Sequence, residues 1–141
     1  MIKKPARQSG QNPLGVFVKE FFAQIVAEFA DAWNTFGPPE HFAAKNAVLD
    51  EHCATVGRDP REVRRAVNVG LAFTDESLVQ QFGNIAEMVR GGVLNGSDEQ
   101  MIDRIGQYVE AGADQVNIAL RAPFDLESVE RFAALLKLGG S

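Results

Sequence analysis

The stretch Ala66-Val67-Asn68-Val69-Gly70-Leu71-Ala72-Phe73 alternates between bulky and small residues, and its reading decides the fold. Successive side chains of a strand point to opposite faces. Val67, Val69, Leu71 and Phe73 therefore share one face, and Asn68, Gly70 and Ala72 share the other. A second run, Gln115-Val116-Asn117-Ile118-Ala119-Leu120, repeats the pattern, with Gln115, Asn117 and Ala119 opposite Val116, Ile118 and Leu120. Each run has one bulky apolar face and one face of small or amide side chains. Three readings of that small face stand side by side: it leaves room for a ligand, it meets another sheet closely, or it faces solvent as on an open sheet.

Working outward, the neighbouring segments carry helical spacing. Phe21, Phe22, Ile25, Val26 and Phe29 predict an amphipathic helix within 16–32. It belongs either to the core or to an arm that docks on another subunit. Asp31–Thr35 reads as a helix end or a short strand. Gly37-Pro38-Pro39 then opens a helix to about Val56, with Phe42, Leu49 and Cys53 on one face and Gly57 as its left-handed cap. Asp59-Pro60-Arg61-Glu62 predicts a single short turn. After the first strand, Thr74 and Asp75 cap a helix carrying Leu78, Val79, Phe82, Ile85, Met88 and Val89 as far as Gly91-Gly92. Ser97-Asp98-Glu99-Gln100 is a capping box, and the helix behind it ends at Gly112. Pro123 stops the second strand, and Phe124 or Asp125 opens a last helix through Leu136. The expected layout is a mobile arm over 1–13, one α/β domain over 14–138 and a frayed tail over 139–141.

Strands that alternate with helices of this length build parallel sheet with crossover helices. Two strands, or four if Asp31–Thr35 and Leu14–Val18 are added, cannot close a cylinder of eight. A complete barrel needs about 250 residues, and this chain has 141. The pattern therefore predicts an α/β fold of parallel strands with crossover helices, with too few strands to close a barrel. Exposed strand edges seek partners. The simplest partner is a second copy, so a homodimer or higher assembly is expected.

Composition narrows the function. Fourteen Lys and Arg against nineteen Asp and Glu give a net charge of -5, which argues against nucleic acid as the partner. The one basic run, Arg58 to Arg65, is interrupted by Asp59 and Glu62 and holds no aromatic residue to stack a base. No apolar stretch approaches the ~20 residues that cross a bilayer, and none precedes Leu14, so no membrane partner and no secretory signal are expected; the chain reads as cytoplasmic. A single cysteine, Cys53, excludes an internal disulfide framework and reads as a core thiol. His41 and His52 lie three helical turns apart, about 16 Å, too far to share a metal. No catalytic residue and no metal site are assigned. The candidates for lining a ligand are Trp33, Asn34, Asn68, Asn117 and Arg121, since buried amides need partners and a guanidinium after a strand end suits an anion.

Four segments carry a family resemblance: Phe29-Ala30-Asp31-Ala32-Trp33-Asn34, Val56-Gly57-Arg58-Asp59-Pro60, Gly96-Ser97-Asp98-Glu99-Gln100 and Tyr108-Val109-Glu110-Ala111-Gly112-Ala113-Asp114-Gln115-Val116. In order and spacing this resembles the C-terminal portion of the bacterial luciferase-like monooxygenases, which use flavin or the deazaflavin F420. The resemblance covers about Phe29 to Leu136 and implies a (β/α)8 barrel whose N-terminal half is missing here. In that family a glycine-rich loop before the Ala-Asp-x-Trp-Asn motif helps hold the cofactor phosphate. The corresponding Leu14-Gly15-Val16-Phe17-Val18-Lys19-Glu20-Phe21-Phe22 lacks the glycine cluster, and the resemblance implies that the family's acid-base and substrate residues lie mostly in the missing half. The expectation is a self-assembling half-barrel that is not catalytic alone, binds no cofactor and takes a small apolar or aromatic ligand. Two alternatives stand beside it. One is an FMN- or F420-binding oxidoreductase with a site rebuilt between copies or with a separate N-terminal subunit. The other is a structural or regulatory interaction module without a ligand.

Overall fold

The computed structural model describes residues 13–139, with side chains from 21 to 137. The expected arm and tail lie outside the described residues, except that Pro13 opens the first helix and Gly139 closes the last. The elements run α1 (Pro13–Phe29), β1 (Ala32–Phe36), α2 (Pro39–Val56), β2 (Arg64–Ala72), α3 (Asp75–Phe82), α4 (Ala86–Val89), β3 (Val93–Asn95), α5 (Asp98–Glu110), β4 (Gln115–Ile118) and α6 (Leu126–Gly139).

Local chemistry explains most boundaries. Gly57 closes α2 at φ 74°, a left-handed conformation that glycine adopts without Cβ strain. Ser97 and Gln100 form the reciprocal capping box: the Gln100 amide donates to Ser97 Oγ at 3.2 Å, and the Ser97 amide donates to Gln100 Oε1 at 2.8 Å. Asp59 caps the short turn Pro60–Glu62 by accepting from the Arg61 amide at 2.9 Å.

Three sequence expectations change. Leu14–Val18 belongs to α1 and not to a strand, because its apolar residues continue the helical spacing of Phe21 to Phe29. The helix expected through Val89 breaks at Gly83, whose φ of 55° leaves the right-handed region, and resumes only as the single turn α4. The three-residue strand β3 was not expected, being too short to show alternation.

All strand pairs are parallel, and β2 lies at the centre. Its lower half pairs on both edges: Arg64–Asn68 with Ala32–Phe36 of β1, and Ala66–Val69 with Gln115–Ile118 of β4. Its upper half, Gly70–Ala72, pairs with Val93–Asn95 of β3. A Cβ placed on Gly92 would stand 3.4 Å from the Gly37 backbone, so β3 takes up the edge where β1 stops. Two side chains finish the tip of β2: Gln81 Nε2 donates to the Leu71 carbonyl at 2.8 Å, and Asn95 Nδ2 to the Ala72 carbonyl at 2.7 Å. The sheet does not close. Among the described residues, β1 and β4 have no strand on their outer sides.

The bulky face of the sheet lies under the helices. Val67, Val69, Leu71 and Phe73 pack with Phe42 of α2, Met101 and Tyr108 of α5, Phe132 and Leu135 of α6, and Leu94. The Tyr108 hydroxyl crosses this layer to donate to the Gly37 carbonyl at 2.8 Å, and burial pushes the phenol up to about 12. A second cluster joins Val26 and Ala27 of α1 to Leu49, Cys53 and Val63, with Trp33 against it. The inward side of α1 is therefore part of this chain's own core, while Phe22, Ile25 and Phe29 remain exposed. Cys53 is a buried free thiol, and burial raises its pKa.

Candidate functional site

Alternation carries the amides to the face opposite that core. Register sets them side by side: Phe36 of β1, Asn68 of β2 and Asn117 of β4 share one rung, with Asn34, Ala66 and Gln115 on the rung below. Four side chains are joined into a row. Arg64 Nη1 donates to Gln115 Oε1 at 3.1 Å, Gln115 Nε2 to Asn117 Oδ1 at 2.5 Å, and Asn117 Nδ2 to Asn68 Oδ1 at 3.1 Å. Gln115 and Arg64 are exposed, whereas Asn68 and Asn117 are half-buried. In a closed barrel of this handedness the face away from the helices is the interior. Here, at its lower half, it is a polar strip on which Asn34, Phe36 and Gln115 are exposed among the described residues.

The upper half of the same face is filled. Gly70 and Ala72 lie against α3, α4 and β3, where Ala72, Leu78, Phe82, Ala86 and Val93 form a separate apolar cluster. A Cβ on Gly70 would come 2.9 Å from Val93 Cγ2 and 3.1 Å from Phe82 Cζ, so glycine is required for Phe82 to lie on the sheet. Arg121, beyond the end of β4, stacks its guanidinium 5.1 Å over the Phe82 ring. The face thus runs from an amide row through Phe36 to an aromatic ring topped by a cation.

Of the residues singled out from sequence, Asn68 and Asn117 are bonded to each other, Asn34 lies on the same face one rung away, and Arg121 stands at its upper end. Trp33 is on the opposite, helix-covered face, with its ring 6.4 Å from that of Phe22 and its buried Nε1 without an acceptor among the described residues. Sequence reading missed Arg64 as a member of the row. The signal was parity: Arg64 stands four residues before Asn68 and so projects to the same side. Phe82 carried no such signal, because its place depends on where α3 folds back.

A cleft of about 340 Å³ at the lower end of β2 includes Asp50, Arg61, Arg65 and Asp114. Arg65 is buried there, donating to Asp50 Oδ1 at 2.5 Å and to the carbonyls of Asn46 and Pro60. That arrangement neutralises a buried charge and leaves little donor capacity for a ligand. Among the described residues, no group of three His, Cys, Asp or Glu is placed to hold a metal ion, and no helix is long and apolar enough to cross a membrane.

Two solved structures share this architecture. One is an F420-dependent secondary alcohol dehydrogenase in complex with an F420–acetone adduct: TM-score 0.59 and 13% identity, over 70% of this chain and 40% of that one. The other is the coenzyme F420-dependent tetrahydromethanopterin reductase of Methanopyrus kandleri: TM-score 0.55 and 15% identity, over 70% of this chain and 42% of that one. The chain therefore spans about two-fifths of the length of these structures. No family model and no curated protein matches it. Likeness at such identity establishes a shared fold, an α/β arrangement of parallel strands under helices, and a fold hosts many activities.

Proposed function

We propose that this chain is a luciferase-like part-barrel that binds a small, flat apolar or aromatic molecule on its amide face and self-assembles to cover what its sheet leaves open. By itself it is not catalytic. The observation that carries the reading is the bonded row Arg64–Gln115–Asn117–Asn68 on the uncovered side of the sheet. Ordered amides beside an exposed phenyl ring, Phe36, are the ingredients of a small-molecule site: a few placed polar groups on an apolar surround. Self-assembly is supported by the unpaired outer edges of β1 and β4 and by the exposed Phe22, Ile25 and Phe29 on α1.

The alternative, an FMN- or F420-dependent oxidoreductase with a site rebuilt across subunits, is favoured by the cofactor named for both similar structures. The residues present suit its ring better than its phosphate. The segment that would correspond to the phosphate loop, Leu14–Phe22, is part of helix α1 and not a glycine-rich loop, and beyond its first turn the backbone amides are bonded along the helix. Arg121, beyond the end of β4, is stacked on Phe82.

Light scattering together with an absorption spectrum tests the proposal. The expected particle has at least twice the chain mass, is colourless, and gains melting temperature with small aromatic compounds, because a ligand that binds only the folded state stabilises it by mass action. Stoichiometric binding of added F420 or FMN would transfer support to the oxidoreductase. A single-chain particle indifferent to every small molecule would leave only a structural or interaction role.

A further inference from the structure

We infer that the amide face selects ligands that accept hydrogen bonds, in particular flat aryl carbonyl compounds, and that Arg64 imposes this preference from the far end of the row. The inference rests on the ligand-binding reading above and specifies its chemistry.

A primary amide can turn either end to a neighbour, so a row of amides alone has no preferred direction. A guanidinium only donates. Arg64 Nη1 therefore obliges Gln115 to present Oε1 to it, which turns Gln115 Nε2 toward Asn117. Asn117 must answer with Oδ1 and pass its own Nδ2 to Asn68 Oδ1. Every member is committed. The row ends at Asn68 Nδ2, which has no acceptor among the described residues and is not sealed from solvent. Successive bonds in such a row polarise one another, which strengthens the last donor.

What stands beside that donor sets the rest of the ligand. Phe36 occupies the same rung on β1 and is 40% exposed, offering a flat apolar neighbour. No carboxylate belongs to the row or to its rung. An aromatic ring against Phe36 with an oxygen toward Asn68 Nδ2 satisfies both. A ligand that offers only a donor would leave the Asn68 amide unpaired against another donor, a mismatch that costs more than a missing contact.

The test uses the full chain, the probes acetophenone (acceptor only) and indole (donor only), and the side-chain amide signals of Asn68 and Asn117 in nitrogen-15 NMR titrations. Wild type is expected to bind acetophenone about tenfold more tightly than indole, with the Asn68 amide signals moving most. Asn68→Asp, which replaces the terminal donor by an acceptor of the same shape, should reverse the order. Gln115→Glu, at an exposed position, replaces the donor to Asn117 by an acceptor, so the two asparagines beyond it turn over, Asn68 presents Oδ1, and the preference should shift toward indole. Equal affinities in wild type, or a preference unchanged in both variants, would overturn the acceptor inference while leaving the ligand site standing. If neither probe moves the Asn68 or Asn117 signals, the ligand site and the inference fall together.

Discussion

The two faces of one strand, β2, solve different problems with residues that alternate one by one. On one side Val67, Val69 and Leu71 are sealed beneath α2, α5 and α6, and nothing there faces water. On the other, Asn68 is half-buried and spends its acceptor on Asn117, while Gly70 and Ala72 a few residues on are shut beneath Phe82. The helix-side face holds the fold together by area removed from water; the lower part of the opposite face adds little area and much direction. Apolar burial and directed hydrogen bonding therefore belong to neighbouring residues that never touch the same surroundings.

That separation can be broken from either side. Leu71→Ala should be the largest effect, about 2–5 kcal/mol in denaturant unfolding, since a fully buried leucine leaves a cavity that its neighbours cannot refill. An unfolding free energy within about 0.5 kcal/mol of wild type would mean that the helices settle onto the sheet without that side chain. Tyr108→Phe probes a hydroxyl that crosses the dry side. It should cost about 1 kcal/mol by orphaning the Gly37 carbonyl.

The same variant has a signature in alkali. The phenol ionises at the ordinary 10.0 when unfolded and at about 12 when folded. The fold thus prefers the neutral form: that contribution is complete below pH 10 and is lost as pH climbs toward 12. Tyr108→Phe should flatten this part of the stability profile, and an unchanged slope would show that other groups produce it. Asn117→Ala should be the smallest change in stability, about 0.5 kcal/mol or less, because water can replace its bonds at a half-exposed position. Its effect should appear in ligand titrations instead. A loss comparable to Leu71→Ala would make the amide row part of the structural core.

How much of this was legible beforehand follows from the range of the forces involved. The strand and capping residues around Asn68, Asn117, Gly57 and Ser97 act over a few neighbours, so periodicity and cap chemistry placed β2, β4, α2 and α5 from the sequence. The parity of Val67 and Asn68 also separated the apolar face from the amide face. What was not legible depends on contacts distant in sequence. Phe82 lies against Gly70, twelve positions earlier in the chain, and Gly92, just before β3, lies against Gly37, just after β1. Trp33, next to Asn34, went to the helix side because Val26, Ala27, Leu49 and Cys53 converge there, which no local pattern near Trp33 announces. The polarity of the row was hidden for the same reason: Arg64 and Gln115 are fifty-one residues apart.

The Gln81 side chain that completes the Leu71 carbonyl has a dynamic consequence. Where a neighbouring strand would ordinarily bond, a helix lends its amide, so α3 cannot lift away without orphaning a main-chain acceptor in an almost dry setting. The tip of β2 and α3 should therefore open as one cooperative unit. Their amide protons should exchange at a common rate, distinct from that of the lower half of β2.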